Sequence, residues 1–579
     1  MTDSRTEVAI VGGGPVGLAA AHALAAHGIR STVVEARATP ARHPRATMVN
    51  ARTMEILRRF GLAEAVRQAG VPIEDMPRVS FVRSLAGVHL GSIELVPDAA
   101  TLMRMMAQSP VLPTICPQHR LERILADALR ANPDVELRTG TTVTDLVAEP
   151  DVGVRLTHRG PDGVVGHVEA RYAVLAEGLH GRIRSRAGLE VRHQPPLGRL
   201  LDVHFVGDLT PWIRGRESAL YWIVNPRVNG VIIAVDPQRS EWLLEVPALG
   251  DDADETLFAP DRDHAALIAE AVGASVRVEV RSVRTWTMGT TAAHRWRDGS
   301  GRVFVAGDAA HTFPPTGGFG MNTGIQDAHH LAWRLAAVLR GWGGAGLLDD
   351  YERERRPVAD FNARQSEHNA LLMRDFLEHD AAPYATALAR AGGDARDAVA
   401  ALAPMLEQHR PHFDFAGQAL GFRYPPAATR AADAPAEVVR DVVRYQPEAV
   451  PGARAPHAWL DSATRRAAVE DWTATGFALF TADPAGRWRH AVRAWSGPVP
   501  VVLVAVADAD APASADTVAD TTGAFADAYR LAPREAVLVR PDGHVAGRLP
   551  GDDPERELAT ALTAAAGLSA TTVGRAGIR

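Results

Sequence analysis

Lysine is absent from all 579 residues: the 62 basic side chains are all arginine, set against 69 acids for a net charge of −7. Without a lysine amine, Schiff-base chemistry and pyridoxal phosphate attachment are excluded. Cysteine occurs once, at Cys116, so internal disulfides and cysteine-rich metal sites are excluded and a reducing compartment is expected. No window approaches the ~18 apolar residues of a membrane span. The N-terminal stretch places acids at Asp3 and Glu7, where an export leader would be basic and then apolar. A cytoplasmic protein with no membrane partner is therefore expected. Basic and acidic residues are interspersed, so no footprint for nucleic acid appears, and the expected partner is a small molecule.

What is present is ordinary globular composition, with 46% apolar and 23% charged residues. At roughly 150 residues per domain, the length predicts three to four structural units. Val8 to Val11 is a short apolar run ending in glycines, followed by the Ala-rich helical stretch Val16 to Ala26 and a second run, Ser31 to Glu35. That is a β-α-β unit with its crossover helix. Helical patterns follow at Arg52 to Phe60, Arg120 to Arg130, Asn322 to Leu339 and Tyr351 to Phe376. Val79 to Ile93 reads as strands, and Leu201 to Pro247 alternates as an antiparallel sheet suited to wall a substrate pocket. Pro426 to His457, rich in Ala, Pro and charge, reads as linker sequence. Phe477 to Thr481, Val499 to Val506 and Ala536 to Val539 read as strands, the last followed by the turn Pro541-Asp542-Gly543.

Gly12, Gly14 and Gly17 form G-x-G-x-x-G between strand and helix, and Glu35 ends the second strand. The first glycine permits the tight turn, the second lets a pyrophosphate approach the backbone, and the third lets helix pack on strand. The helix N-terminus faces the diphosphate, and Glu35 accepts from ribose hydroxyls. An acid at that place suits FAD or NAD. A second constellation runs from Gly301 through Asp308 and His311 to Pro314, Pro315, Gly318, Gly320, Met321, Asn322 and Asp327. An acid closing a strand can hold a polyol, and a glycine loop feeding a helix N-terminus offers N–H groups to a developing anion.

With these motifs the sequence resembles the class A FAD-dependent aromatic hydroxylases, the p-hydroxybenzoate and phenol hydroxylase superfamily, over about Thr6 to Asn369. The text FPPTGGFGMNTGIQDAHHLAWRL and YWIVNP is similar to the branch of 2,4-dichlorophenol 6-monooxygenase, which includes antibiotic-tailoring hydroxylases. The resemblance implies an α/β fold: a Rossmann-like FAD-binding domain (1–78, 111–190 and 291–410), an inserted antiparallel-sheet substrate domain (79–110 and 191–290), a linker (411–445) and a C-terminal thioredoxin-like domain without cysteines (446–579). It places Asp308 on the ribityl hydroxyls, Pro315 beside the isoalloxazine, and the backbone of Gly320, Met321 and Asn322 at the flavin N1 and O2 edge. The segment Pro44-Arg45-Ala46, with Asn50, Arg52, Thr53, Met54 and Glu55 after it, resembles the family's Arg-containing stretch at the cofactor. Gln118, before Leu121 and Glu122, resembles its glutamine near the ribityl chain.

The implied activity is hydroxylation of a phenolic or related aromatic compound, for which a secondary-metabolite phenol or pyridinol is a candidate. The implied cofactor is noncovalent FAD, with NADPH or NADH as transient reductant and O2 as co-substrate, through a flavin C4a-hydroperoxide. A homo-oligomer is expected. Two positions depart from the family pattern. Glu177 stands in Ala176-Glu177-Gly178 where an aspartate is usual, and Thr47 stands where phenol hydroxylases carry an active-site Asp, so no base is assigned. Baeyer–Villiger, epoxidising or antibiotic-inactivating oxygenation on the same fold are alternatives; a NAD-dependent dehydrogenase or a flavin-binding sensor without turnover are alternatives of another class.

The remaining conspicuous side chains read as follows. Cys116 reads as core packing. Met103, Met105 and Met106 read either as pocket lining or as packing. His329 and His330, one residue apart, lie on different helix faces and make no shared metal site; no metal is expected. Of Tyr221 and Trp222, which alternate on a strand, at most one faces the pocket, and Tyr221 is the expected substrate contact.

Overall fold

The computed structural model describes residues 3–225, 227–249, 255–376, 396–425, 438–462, 466–483, 486–508 and 517–568. Five parallel strands form its first layer, in the order Val303–Val305, Tyr172–Leu175, Val8–Val11, Ser31–Glu35 and Val135–Thr139. The Val8–Val11 and Tyr172–Leu175 strands are buried throughout, as a parallel sheet covered on both faces requires. Helix Pro15–Ala26 packs on helices Phe319–Leu339 and Gln118–Arg130. Its Ala-rich text allows close approach, because most of its side chains are no larger than a methyl group.

The second sheet has seven strands, in the order Val278–Met288, Gly198–Gly207, Glu241–Leu249, Asn229–Asp236, Leu220–Val224, Arg78–Val82 and His89–Glu94. It is antiparallel except where Leu220–Val224 runs parallel to Arg78–Val82. One face buries Leu201, Val203, Phe205, Tyr221 and Leu244 under helix His264–Val272. The alternation of period 2 turns the other set, including Asp202, Trp222 and Glu245, toward a cavity. The edge strand Val278–Met288 was not anticipated from the sequence, where its charge-rich text hides the alternation.

A third, C-terminal sheet has the order Arg466–Ala468, Trp459–Asp461, Thr517–Asp520, Val501–Asp508, Phe477–Thr481, Ala536–Val539 and Val545–Leu549. Phe477–Thr481 is parallel to Val501–Asp508 and antiparallel to Ala536–Val539, the pairing of a thioredoxin-like core. The turn at Pro541-Asp542-Gly543 forms as expected, with Gly543 at φ +79° and its N–H donating to the Arg540 carbonyl at 2.9 Å. No helix of the described residues is long and apolar enough to cross a membrane.

Two expectations need correction. The stretch 411–445 is not a plain spacer among its described residues. It carries the helices Arg410–Phe413 and Ala416–Leu420, and it buries Phe415, Leu420, Phe422 and Tyr424 against the neighbouring cores; residues 426–437 lie outside the described residues. The aromatic side chains in this Pro-rich text outweigh its turn-forming composition. Met103, Met105 and Met106 neither line the cavity nor pack in a core. They sit on helix Ala99–Gln108, which buries none of its residues, and Met103 is 66% exposed. Cys116 is fully buried in the first core, and burial pushes its thiol up to about 12.

Candidate functional site: a cofactor cradle opening onto a sheet-walled pocket

A continuous cavity of about 900 Å³ runs from the N-terminus of helix Pro15–Ala26 to the seven-stranded sheet. At its first end, Gly12 has φ +106°, and a Cβ there would lie 2.3 Å from the Ala176 carbonyl oxygen; a Cβ on Gly17 would lie 1.9 Å from that of Gly12. A Cβ on Gly14 would meet nothing within 4 Å, because it would enter the cavity. The helix that follows has no side-chain cap, so its first-turn N–H groups face a space shaped for an anion. Glu35 is fixed beside them: its Oε2 accepts from Gly13 N at 2.6 Å, and its Oε1 from Arg37 N at 2.9 Å and Nε at 2.7 Å.

Asp308 follows the strand Val303–Val305 and lines the cavity, an accessible residue between buried neighbours. Burial pushes this carboxyl up, opposed by His311 and Arg45. Behind it, Asp327 accepts from Gly307 N at 3.3 Å and Arg355 Nε at 2.7 Å, and lies 2.6 Å from His311 Nε2. Asp327 and Arg355 thus hold the turn that presents Asp308, a role sequence reading did not give them. Arg45 lines the cavity within electrostatic reach of Asp308 and Glu122; burial, Arg284 and Arg37 lower its pKa. Gln118 donates from Nε2 to Glu122 Oε1 at 2.7 Å, and burial raises the Glu122 carboxyl against that bond.

The glycine loop enters helix Phe319–Leu339 through Gly318, at φ +67°. Pro315, Gly318, Gly320 and Met321 line the cavity, and a Cβ on Gly320 would meet nothing within 4 Å. The Asn322 side chain instead ties the loop down. It accepts from Asn50 N at 3.0 Å and donates to the Met48 carbonyl at 2.9 Å and the Gly318 carbonyl at 2.8 Å. Arg52 turns away from the cavity, to Glu55 and the Asp542 carbonyl. Glu177 lines the cavity and caps the short helix Ile183–Arg186, accepting from Arg184 N at 2.6 Å and Ile183 N at 3.1 Å.

Tyr221 does not reach the pocket. Its hydroxyl accepts from Ser218 N at 3.0 Å and donates to the Arg216 carbonyl at 3.2 Å, inside the opposite core. Trp222 faces the cavity, stacked on Phe81 with ring centroids 5.0 Å apart. The alternation was legible, but which set faced inward depended on where helix His264–Val272 packs. Asp202, Glu245, Arg284 and His43 also line the pocket, and no local motif marks them.

The cradle fits FAD: an open Gly14 edge at a helix N-terminus, a fixed acid on the second strand and a cavity-facing Asp308 meet a diphosphate, a ribose and a polyol in turn. The family described as FAD binding domain matches residues 5–366, and that described as aromatic-ring hydroxylase, C-terminal, matches residues 448–568. The 4-methyl-5-nitrocatechol 5-monooxygenase of a Burkholderia species is 33% identical, covering 97% of this chain and 98% of its own. The 2,4-dichlorophenol 6-monooxygenase of Cupriavidus pinatubonensis is 30% identical, covering 95% and 94%. The flavin-dependent monooxygenase PieE, solved with FAD and substrate, superposes with a TM-score of 0.87 at 29% identity, covering 98% and 100%. The chain belongs to the FAD-dependent aromatic-ring hydroxylase family. It is a flavoprotein monooxygenase, and the dehydrogenase and sensor readings fall away.

Proposed function

We propose that the protein hydroxylates a phenolic substrate, using FAD, O2 and NADH or NADPH. The observation that supports this best is the single cavity, in which a dinucleotide cradle opens directly onto an apolar sheet face. When bound, FAD supplies the two-electron chemistry and the activation of O2. The residues around it bind, orient and exclude water. Gly12 and Gly14 with the helix N-terminus would hold the diphosphate, Gly17 lets that helix pack against Gly12, and Glu35 would take a ribose hydroxyl. Asp308 would accept from the ribityl chain, with Arg45 and Gln118 beside it. Pro315 would pack against the ring, and the N–H groups at Gly320, Met321 and Asn322 would face its carbonyl edge at the positive end of their helix, while the Gly318 N–H is held by the Pro315 carbonyl at 2.9 Å.

Leu200, Leu220, Val231, Ile233 and Trp222 keep the far end of the cavity apolar, as an aromatic body requires. The C-terminal unit braces the cofactor unit through buried ion pairs. Oxidation of NADH and NADPH is to be followed with and without a panel of phenols. Consumption of reductant and O2 that rises with a phenol supports the reading; oxidation indifferent to every phenol contradicts it.

A further inference from the structure

One row of residues crosses the cavity face of the seven-stranded sheet. Cross-strand register pairs Arg284 with Asp202, Asp202 with Glu245, Glu245 with Val231, and Val231 with Trp222. Directly paired residues share a face, and all five line the cavity. Four strand intervals make the row about 19 Å long. One end is charged and the other apolar and aromatic. Leu200, Pro247, Ile233 and Leu220 flank it, so the two acids, with Arg284 beyond them, are the polar end of an otherwise greasy wall.

The ion-pair neighbour of Asp202 is a histidine, not an arginine. Asp202 is 6% exposed, and its Oδ2 accepts from Trp286 Nε1 at 2.8 Å and lies 3.8 Å from His43 Nε2. Its Oδ1 has no hydrogen-bond partner, and neither His43 Nε2 nor Trp222 Nε1 has one. A buried carboxylate oxygen left without a donor is costly, and a ligand hydroxyl would recover that cost. Glu245 opens onto the same space with Asp202 directly opposite. Burial, then the charge of Asp202, hold its carboxyl well above the ordinary range, so it presents an O–H donor.

Resting on the hydroxylase reading, we infer that the Asp202–Glu245 pair grips a hydroxyl of an elongated, fused-ring phenol whose body lies along Val231 and Trp222, with Asp202 taking the hydroxyl proton. The substrate O–H bond breaks and an O–H bond to Asp202 Oδ1 forms. The electron pair stays on the substrate oxygen, and its negative charge raises electron density at the ring carbons ortho and para to it. Glu245, as a neutral acid, donates a hydrogen bond to that oxygen. Arg284, paired with Asp202 in the strand register, supplies positive charge at that end of the row.

The test uses the full-length, FAD-loaded, oxidised enzyme without reductant, titrated with 2-hydroxyanthraquinone and its methyl ether. The wild type is expected to prefer the hydroxyl compound by about tenfold or more, the worth of one hydrogen bond to a charged group. It should also bind that compound with the absorption band of the ionised form, at a pH where the free probe is still neutral. Asp202→Asn, which keeps an acceptor for Trp286 and whose FAD occupancy reports folding, should lose both the preference and the band. Glu245→Gln, still a donor, should keep both, whereas Glu245→Leu should weaken both. An Asp202→Asn enzyme that retains preference and band overturns the inference, as does a wild type that binds the two probes equally or binds neither. Oxygen incorporation into another phenol would leave the hydroxylase reading standing in each of those cases.

Discussion

Two regions of this molecule bury carboxylates, and they treat them in opposite ways. At the seam between the cofactor unit and the C-terminal unit, the acids are met by arginine. Glu55 accepts from Arg454 and Arg52, and Glu354 from Arg540 and Arg334; Asp542 accepts from Arg540 and Trp333. Burial alone would raise Glu55, but the two guanidinium groups bring it down to about 2. Against the same burial penalty, Arg540 with Arg334 holds Glu354, and Arg540 with His544 holds Asp542, well below the ordinary range. Along the cavity, burial pushes Glu122, Asp308 and Glu245 up, and the counter-charge there is too weak to reverse it. Glu470 is the exception at the seam, raised to about 7 by burial and by Glu55. Paired buried charge fixes two units in one arrangement, whereas a carboxyl beside a void with weak counter-charge keeps hydrogen-bonding capacity for a ligand.

The largest expected effect breaks the paired side of this contrast. Arg454→Met leaves Glu55 buried with only Arg52 and Ser109 as partners, and should cost about 3–5 kcal/mol in denaturant unfolding. The same change should leave the visible spectrum of bound flavin unaltered in whatever protein remains folded. Next in size, Asp308→Ala should weaken FAD binding by about 1–3 kcal/mol in a titration of apoprotein, since a buried ribityl hydroxyl loses its acceptor. Wild-type affinity in that variant would remove Asp308 from the site.

The two regions should also respond to pH with opposite signs. A depressed carboxyl such as Glu55 contributes stability that is present above its ordinary pKa and is lost as pH falls toward about 2. A raised one such as Glu245 contributes stability that is present below its ordinary pKa and is lost as pH rises toward the folded value. Glu245→Gln, which imitates the neutral acid, should therefore melt higher than wild type at about pH 8, with the gap closing toward about pH 4. A gap of the opposite sign would mean that Glu245 is ionised in the fold. The smallest effect concerns the residue that turned out to face away. Tyr221→Phe should lose about 0.5–1.5 kcal/mol of stability with its hydroxyl contacts, and kcat/KM for a phenol should not change.

The cofactor cradle was legible because its parts are contiguous. A strand, three glycines, a helix and a terminal acid sit in one short stretch, and each residue type is demanded by backbone geometry, by a phosphate or by a ribose hydroxyl. Asp308 and the Pro315 to Asn322 loop were legible for the same reason. The substrate wall was not. Asp202, Glu245 and Arg284 come from three strands far apart in sequence, and only the register of those strands puts them in one row. The seam was hidden similarly: Asp542 reads as a turn residue, and nothing local says that its side chain is buried against Trp333 and Arg540. Glu177 is intermediate, a visible departure whose consequence, a carboxylate that caps helix Ile183–Arg186, required the backbone.

Mass spectrometry of phenol products formed under isotopically labelled O2 tests the central claim most directly. With FAD bound and a nicotinamide reductant supplied, the account predicts a hydroxylated product carrying one labelled oxygen atom per turnover. Products bearing unlabelled oxygen, or reductant consumed to peroxide with every phenol returned unchanged, would contradict it.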